Sequence, residues 1–132
     1  MLGVIVATFL IADAASTSAP IAVDVAAATS WVTLIDAKRF DESWNEAGEL
    51  FKSQMPQARW ASTIQPVRGP MGAVSLRSLK SITKTAKLPG APDGEYEVVQ
   101  FQTRFDHKSE AIETVVLARE TSGWKVDGYF IR

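Results

Sequence analysis

A tight turn followed by a long alternating run, at residues 88–105, constrains the fold most strongly. Residues 88–94 read LPGAPDG, where proline presets φ and Asp-Gly favours a tight turn. Residues 95–105 (EYEVVQFQTRF) are then rich in β-branched and aromatic side chains, which is typical of a strand. Side chains alternate along a strand, so one face carries Glu97, Val99, Phe101, Thr103 and Phe105. We expect this strand to be central in an antiparallel sheet, with that face toward the core.

Three further strands are predicted around this one. A polar turn at Asp106–Ser109 leads into an apolar strand near Ala111–Glu120. The last strand is Trp124–Ile131, in which Gly128 indicates a bulge or a close approach of two backbones. Val74–Ala86 is a mostly polar first strand whose register no pattern fixes. The second half of the chain therefore predicts four consecutive antiparallel strands.

The register of the two central strands is predicted from their apolar positions. Setting Phe101 opposite Val115 pairs apolar side chains, and the same register sets Glu97 opposite Arg119 as a charge pair. A slip of one residue would break this match and turn the strand over. In the preferred register Glu113 lies on the inward face.

Helical patterns occupy the first half. Asp24 is predicted as the N-cap of a helix that ends near Ala37. Asp41 or Ser43 caps a second helix, which Pro56 ends before opening a third. The fold class is therefore α+β, with three N-terminal helices packed on one face of a curved four-stranded antiparallel sheet.

Length and composition limit the functional class. The chain has 132 residues, a net charge of −1 and no cysteine, which suits one domain and excludes disulfides and thiolate chemistry. The near-zero charge argues against a nucleic-acid partner. Glycine-rich phosphate loops and G-x-S-x-G motifs are absent from the sequence, so no cofactor is predicted. A metal site is not predicted either, because the single histidine, His107, falls in a polar turn.

The first residues predict export. Leu2–Ala15 is an apolar run, shorter than the ~20 residues of a membrane span, and Ala12-Asp13-Ala14 matches a signal-peptidase site. We interpret residues 1–20 as a signal peptide and linker, and residues 21–132 as the domain. The expected location is the bacterial periplasm, with no integral membrane segment after cleavage.

Several runs resemble a known family. DESWNEAGELFK, RWASTIQPVRGPMGAVSLRSL, LPGAPDGEYEVVQFQTRF and GWKVDGYFIR are similar to the bacterial family called domain of unknown function 4019. The resemblance covers about residues 26–132. It implies a small exported protein whose fold is similar to the cone of nuclear transport factor 2 and ketosteroid isomerase. It implies no activity, since fold analogy alone does not decide function.

The candidate site is a pocket between helices and sheet. Glu113 is the catalytic candidate, because it lies on the inward face among apolar neighbours. Burial of this kind raises the pKa of a carboxyl, and acids with shifted pKa values cluster at functional sites. The alternative is a structural acid that pairs with a nearby base. Tryptophans at helical spacing fit either an aromatic-lined pocket or plain core packing. The predicted ligand-pocket residues are Trp31, Trp44, Phe101, Glu113 and Tyr129.

Two surfaces remain. No acid occurs between Leu50 and Pro92, so Arg77, Lys80 and Lys84 form a candidate site for an anionic envelope polymer, or simply pair with acids of the next strand. The outward sheet face carries Val98, Ile112 and Val116, which suggests a homodimer.

The favoured function is an exported module for small-ligand binding or assembly, without chemistry. The alternatives are an isomerase- or cyclase-like enzyme that uses Glu113, and the polymer binder.

Overall fold

The computed structural model describes residues 22–132 and confirms the α+β class. The predicted signal peptide and linker lie outside the described residues. The elements in chain order are α1 (Val23–Asp36), α2 (Phe40–Glu46), α3 (Glu49–Gln54), α4 (Gln57–Arg68), a 3-10 turn (Gly69–Met71), β1 (Val74–Thr85), β2 (Tyr96–Phe105), β3 (Lys108–Glu120) and β4 (Gly123–Ile131). Among residues 22–132, no helix is long and apolar enough to cross a bilayer.

The sheet is an antiparallel meander in the order β1-β2-β3-β4, as predicted. Along β3 and β4, Val116 pairs with Gly128 while Leu117 pairs with Val126, so Asp127 is an extra residue. This bulge lies beside the predicted position. A Cβ on Gly128 would lie 3.2 Å from the Phe130 ring and 3.4 Å from the Val116 side chain, so a larger residue would require one of these side chains to shift.

The predicted register of β2 and β3 is wrong by two residues. Val99 pairs with Val115, and Phe101 pairs with Glu113. The turn holds only two residues, because Phe105 already pairs with Lys108. A shift of two residues keeps every side chain on its predicted face, since strands repeat every two residues.

The predicted pair of Glu97 with Arg119 is consequently absent. Glu97 lies opposite Leu117. Arg119 instead approaches the exposed Glu95, with 3.5 Å between Nη1 and Oε2. Glu97 is left on the inner face without the arginine that the sequence suggested.

Two helix boundaries also differ from the prediction. Asp24 lies in the first turn of α1, which Ala22 precedes as the cap. Ser43 lies inside α2, where its hydroxyl donates to the Phe40 carbonyl, so neither it nor Asp41 caps this helix. The predicted second helix is divided into α2 and α3, because the Gly48 N–H donates to the Val126 carbonyl of β4 at 2.8 Å.

The core lies between α1 and the last three strands. Trp31, Val32 and Ile35 of α1 are buried with a matching set on the sheet: Val99, Val115, Leu117 and Val126. Strand β1 pairs only with β2 and forms one edge of the sheet. Its helix-facing Leu79 and Ile82 remain 48% and 38% exposed, whereas Val99 and Val115 are fully buried.

Candidate functional site

Glu113 is a fully buried acid that accepts three hydrogen bonds. Arg77 Nε donates to its Oε1 at 2.8 Å, and Thr103 Oγ1 donates to the same oxygen at 2.5 Å. The Tyr129 hydroxyl donates to Oε2. Strands β1, β2 and β4 each supply one donor, so the carboxylate of β3 is held from three sides.

A second acid extends this arrangement to the helices. Asp36, at the end of α1, accepts from both terminal nitrogens of Arg77, at 2.7 and 2.9 Å. Arg68 of α4 donates to Asp36 at 2.7 Å and to the Tyr129 hydroxyl at 3.3 Å. We call Asp36, Arg68, Arg77 and Glu113 the ion network. Its two acids and two bases balance in charge.

Burial and pairing shift the ionisation of the groups around Glu113. Burial alone would raise the pKa of Asp36, but its hydrogen bonds to Arg77 and Arg68 outweigh burial and lower that pKa. Burial alone would lower the pKa of Arg77, and its bonds to Asp36 and Glu113 raise it instead. Burial, with the charge of Glu113, raises the pKa of Tyr129. These shifts keep Asp36 and Arg77 charged and Tyr129 neutral.

The ion network favours a structural role for Glu113. A general base needs a free lone pair within reach of substrate, whereas Glu113 has no exposed surface and three donors. The interactions join α1, α4 and all four strands in the layer between helices and sheet. The ion network also carries a desolvation penalty, since the buried Arg68 Nε lacks a hydrogen-bond partner within the described residues.

The structure brings some of the predicted pocket residues together. Trp31 and Tyr129 pack edge to face at 5.4 Å between ring centroids, and Tyr129 reaches Glu113. Phe101 is buried and pairs with Glu113 across the sheet. Trp44 is used differently, because its Nε1 donates to the Met55 carbonyl at 2.6 Å.

Sequence reasoning did not assign Asp36 and Arg68 to the site. Arg68 is 7% exposed on α4, whereas its neighbour Val67, which has the apolar side chain, is 42% exposed. Arg68 lies four residues after the buried Ile64, and this helical spacing is the signal that could have placed it inward. Asp36 similarly lies four residues after the buried Val32 of α1.

The three residues of the candidate anionic-polymer site, Arg77, Lys80 and Lys84, do not share one exposed surface. The Arg77 side chain is 12% exposed and fully engaged in ion pairs. Lys84 has a side chain that is 81% exposed, and Lys80 is exposed as well. An anionic polymer would therefore meet the two lysines, whereas Arg77 is mostly buried and three of its five N–H groups already donate to Asp36 and Glu113.

The other titratable candidates form no metal site. His107 is exposed in the turn between β2 and β3. Among residues 22–132, no three acidic or histidine side chains converge in a way that could hold a metal ion.

An open groove lies between α1 and the edge strand β1, with a volume of about 480 Å³. We call it the α1–β1 groove, and it is lined mainly by apolar side chains: Ala22, Val25, Leu79, Ile82 and Phe101. Arg77 and Thr29 complete the lining. A second cavity, of about 360 Å³, reaches Asp36 and Arg68 on the other side of the ion network.

Comparison with known proteins identifies a family whose function is unknown. The family model described as "Protein of unknown function (DUF4019)" matches residues 27–129, which include every helix and strand in whole or in part. A search of curated proteins finds no match. Since the matched region covers most of the chain, this protein belongs to the DUF4019 family.

Proposed function

We propose that this chain is an exported, non-enzymatic binding module that holds a small apolar molecule in the α1–β1 groove. One observation carries the proposal: Leu79 and Ile82 lie on the helix-facing side of the sheet and are 48% and 38% exposed. Side chains in the same layer of β2 and β3 are buried under α1. A large apolar surface left open in this way is a common mark of a binding site.

The lining indicates the chemistry of the ligand. A volume of about 480 Å³ is within the ordinary range for small-molecule pockets. Arg77 lines the groove, but Asp36 and Glu113 already accept from its nitrogens. The groove therefore offers apolar contact without a free charge, which suits a neutral apolar molecule.

A second copy of the chain is a poorer occupant of this groove. Strand β1 carries Lys80 and Lys84 and no acid, so two β1 edges would bring like charges together. Export is part of the proposal and rests on the apolar run Leu2–Ala15.

Binding of the neutral dye Nile red, followed by fluorescence titration, tests the groove. Leu79→Ser combined with Ile82→Ser should weaken binding by about tenfold, because the groove loses most of its open apolar surface. Leu76→Ser is the matched control, since Leu76 is 58% exposed but lies on the opposite face of β1. Equal affinity in the double variant and in the wild type would sink the proposal.

Assembly through the outward face of the sheet is the second candidate. Phe130 is 63% exposed there, next to Val116 across Gly128, and Val98 and Ile112 are half-buried on the same face. An exposed aromatic ring among aliphatic side chains suits a homodimer. Light scattering at high protein concentration should then show a dimer that Phe130→Lys dissociates, and a strictly monomeric wild type removes this candidate.

A further inference from the structure

Glu97 is a second buried acid on the inner face, and it lacks the donors that surround Glu113. It lies on β2 and is 2% exposed. Its Oε2 is buried without a hydrogen-bond partner among residues 22–132. Its Oε1 is 3.7 Å from Lys84 Nζ, and that lysine side chain is 81% exposed. A buried carboxylate oxygen without a donor is costly, so another source of a hydrogen is expected.

The missing hydrogen is supplied by a shared proton. The carboxyl of Asp24, in the first turn of α1, lies within hydrogen-bonding reach of the Glu97 carboxyl. Two ionised carboxylates would present only acceptors to each other, whereas one proton turns the contact into an O–H···O hydrogen bond. We propose that Asp24 and Glu97 share one proton and act as a pH-dependent latch between the start of α1 and the sheet.

The ionisation of the two acids supports this geometry. Burial, with the neighbouring Asp24, raises the pKa of Glu97 to about 7. The hydrogen bond from Glu97 lowers the pKa of Asp24. Asp24 is therefore the ionised acceptor and Glu97 the protonated donor.

Few other charges face Glu97. From β1 only Lys84 approaches it, and the exposure of that ammonium group weakens its effect. On β3 the opposite residue is the apolar Leu117, while Arg119 is directed to Glu95. On β4, the uncharged Trp124 lies beside Glu97 in an open surface cavity, which Arg119 and Glu95 also line as an ion pair.

The direction of the pH effect follows from the raised pKa of Glu97. The folded chain holds this proton up to about pH 7, whereas the usual carboxyl loses it near 4.5. The stability that the latch contributes is complete below the lower value and is lost as the pH rises through the upper one. Loss of the proton sets two negative charges against each other and releases the first turn of α1.

This latch also regulates the α1–β1 groove, and that consequence rests on the function proposed above. Ala22 and Val25, on either side of Asp24, form the α1 wall of the groove. Release of this turn removes the wall. Affinity for an apolar ligand should therefore be higher below pH 7 than above it.

Hydrogen exchange of residues 22–29 tests the latch without any ligand. After correction for intrinsic exchange, protection of this turn should fall by about tenfold between about pH 5.5 and pH 8. Residues 57–68 of α4 provide the internal reference, since they lie outside the latch. Unchanged protection of the first turn over this range overturns the proposal.

Three variants locate the effect. Glu97→Gln keeps a hydrogen-bond donor but cannot titrate, so the protection of residues 22–29 should become independent of pH. Asp24→Asn should move the titration of Glu97 to lower pH, because the opposing acid is gone. Glu110→Gln is the control, since this exposed glutamate lies at the other end of β3 from the partner of Glu97, and it should behave as the wild type.

Two measurements distinguish failure of the latch from failure of the groove as a binding site. Should Glu97→Gln not fold, carbon-13 titration of the Glu97 carboxyl in the wild type decides, and a midpoint near the usual 4.5 contradicts the latch. Nile red titration at both pH values tests the groove. A pH-dependent turn with pH-independent dye binding leaves the latch standing and counts against the groove as the binding site.

Discussion

Glu113 and Glu97 are two buried glutamates in the same layer of the molecule, yet their surroundings are opposite. Glu113 lies on β3 under three donors, from Arg77, Thr103 and Tyr129. Glu97 lies on the neighbouring strand β2, with one exposed lysine at 3.7 Å and another carboxyl in front of it. Burial alone therefore does not decide whether a buried carboxyl is ionised. The number of hydrogen-bond donors around it decides this as well.

The difference separates a structural role from a responsive one. Donors from several elements stabilise Glu113 and tie the helices to the sheet. Glu97 has no such set of donors, so its ionisation is open to change near neutral pH. Removing the acid should therefore destabilise the fold at Glu113 and stabilise it at Glu97.

The largest effect is expected from Arg77→Met. This change leaves the buried Glu113 and the partly exposed Asp36 with fewer donors and should lower the free energy of unfolding by about 4 kcal/mol. Urea denaturation measures it. Lys80→Met, an exposed change on the same strand, should stay within about 0.5 kcal/mol and is the control. A loss as small for Arg77→Met as for Lys80→Met would show that the ion network does not stabilise the fold.

A smaller loss is expected from Glu113→Leu. Leucine fills a similar volume, but Thr103 and Tyr129 lose their acceptor and Arg77 retains only Asp36. The free energy of unfolding should fall by roughly 3 kcal/mol. Thermal unfolding near neutral pH provides a second measurement. An unchanged stability would mean that Glu113 adds nothing beyond its volume.

The smallest effect, and the opposite sign, is expected from Glu97→Leu. This change removes the repulsion from Asp24, while Lys84 remains solvated. At about pH 8 it should raise the free energy of unfolding by about 1 kcal/mol, and at about pH 5 the gain should shrink because the wild-type latch is then formed. Destabilisation of equal size at both pH values would contradict the comparison with Glu113.

Much of the fold was predictable from local pattern. The alternation in residues 95–105 correctly placed Val99, Phe101 and Thr103 toward the core. The same pattern could not fix the β2–β3 register, because a shift of two residues leaves every face unchanged. The two-residue turn, in which Phe105 pairs with Lys108, and the irregularity between Thr103 and Phe105 together set that register.

The candidate site was only partly predictable, for a related reason. Glu113 and Tyr129 could be selected as polar groups on an inward face. Asp36 and Arg68 come from helices far away in the chain, and nothing local indicates that they meet. Arg77 was noticed for its positive charge, but its burial depends on both acids.

The sequence by itself determined the order of helices and strands and the face on which each strand residue lies, because these follow from periodicities of two and 3.6 residues. The tertiary structure alone decided which donors reach each buried acid. Those contacts join residues up to 41 positions apart, as between Asp36 and Arg77. Electrostatic energy depends on distances in space, which chain spacing does not encode.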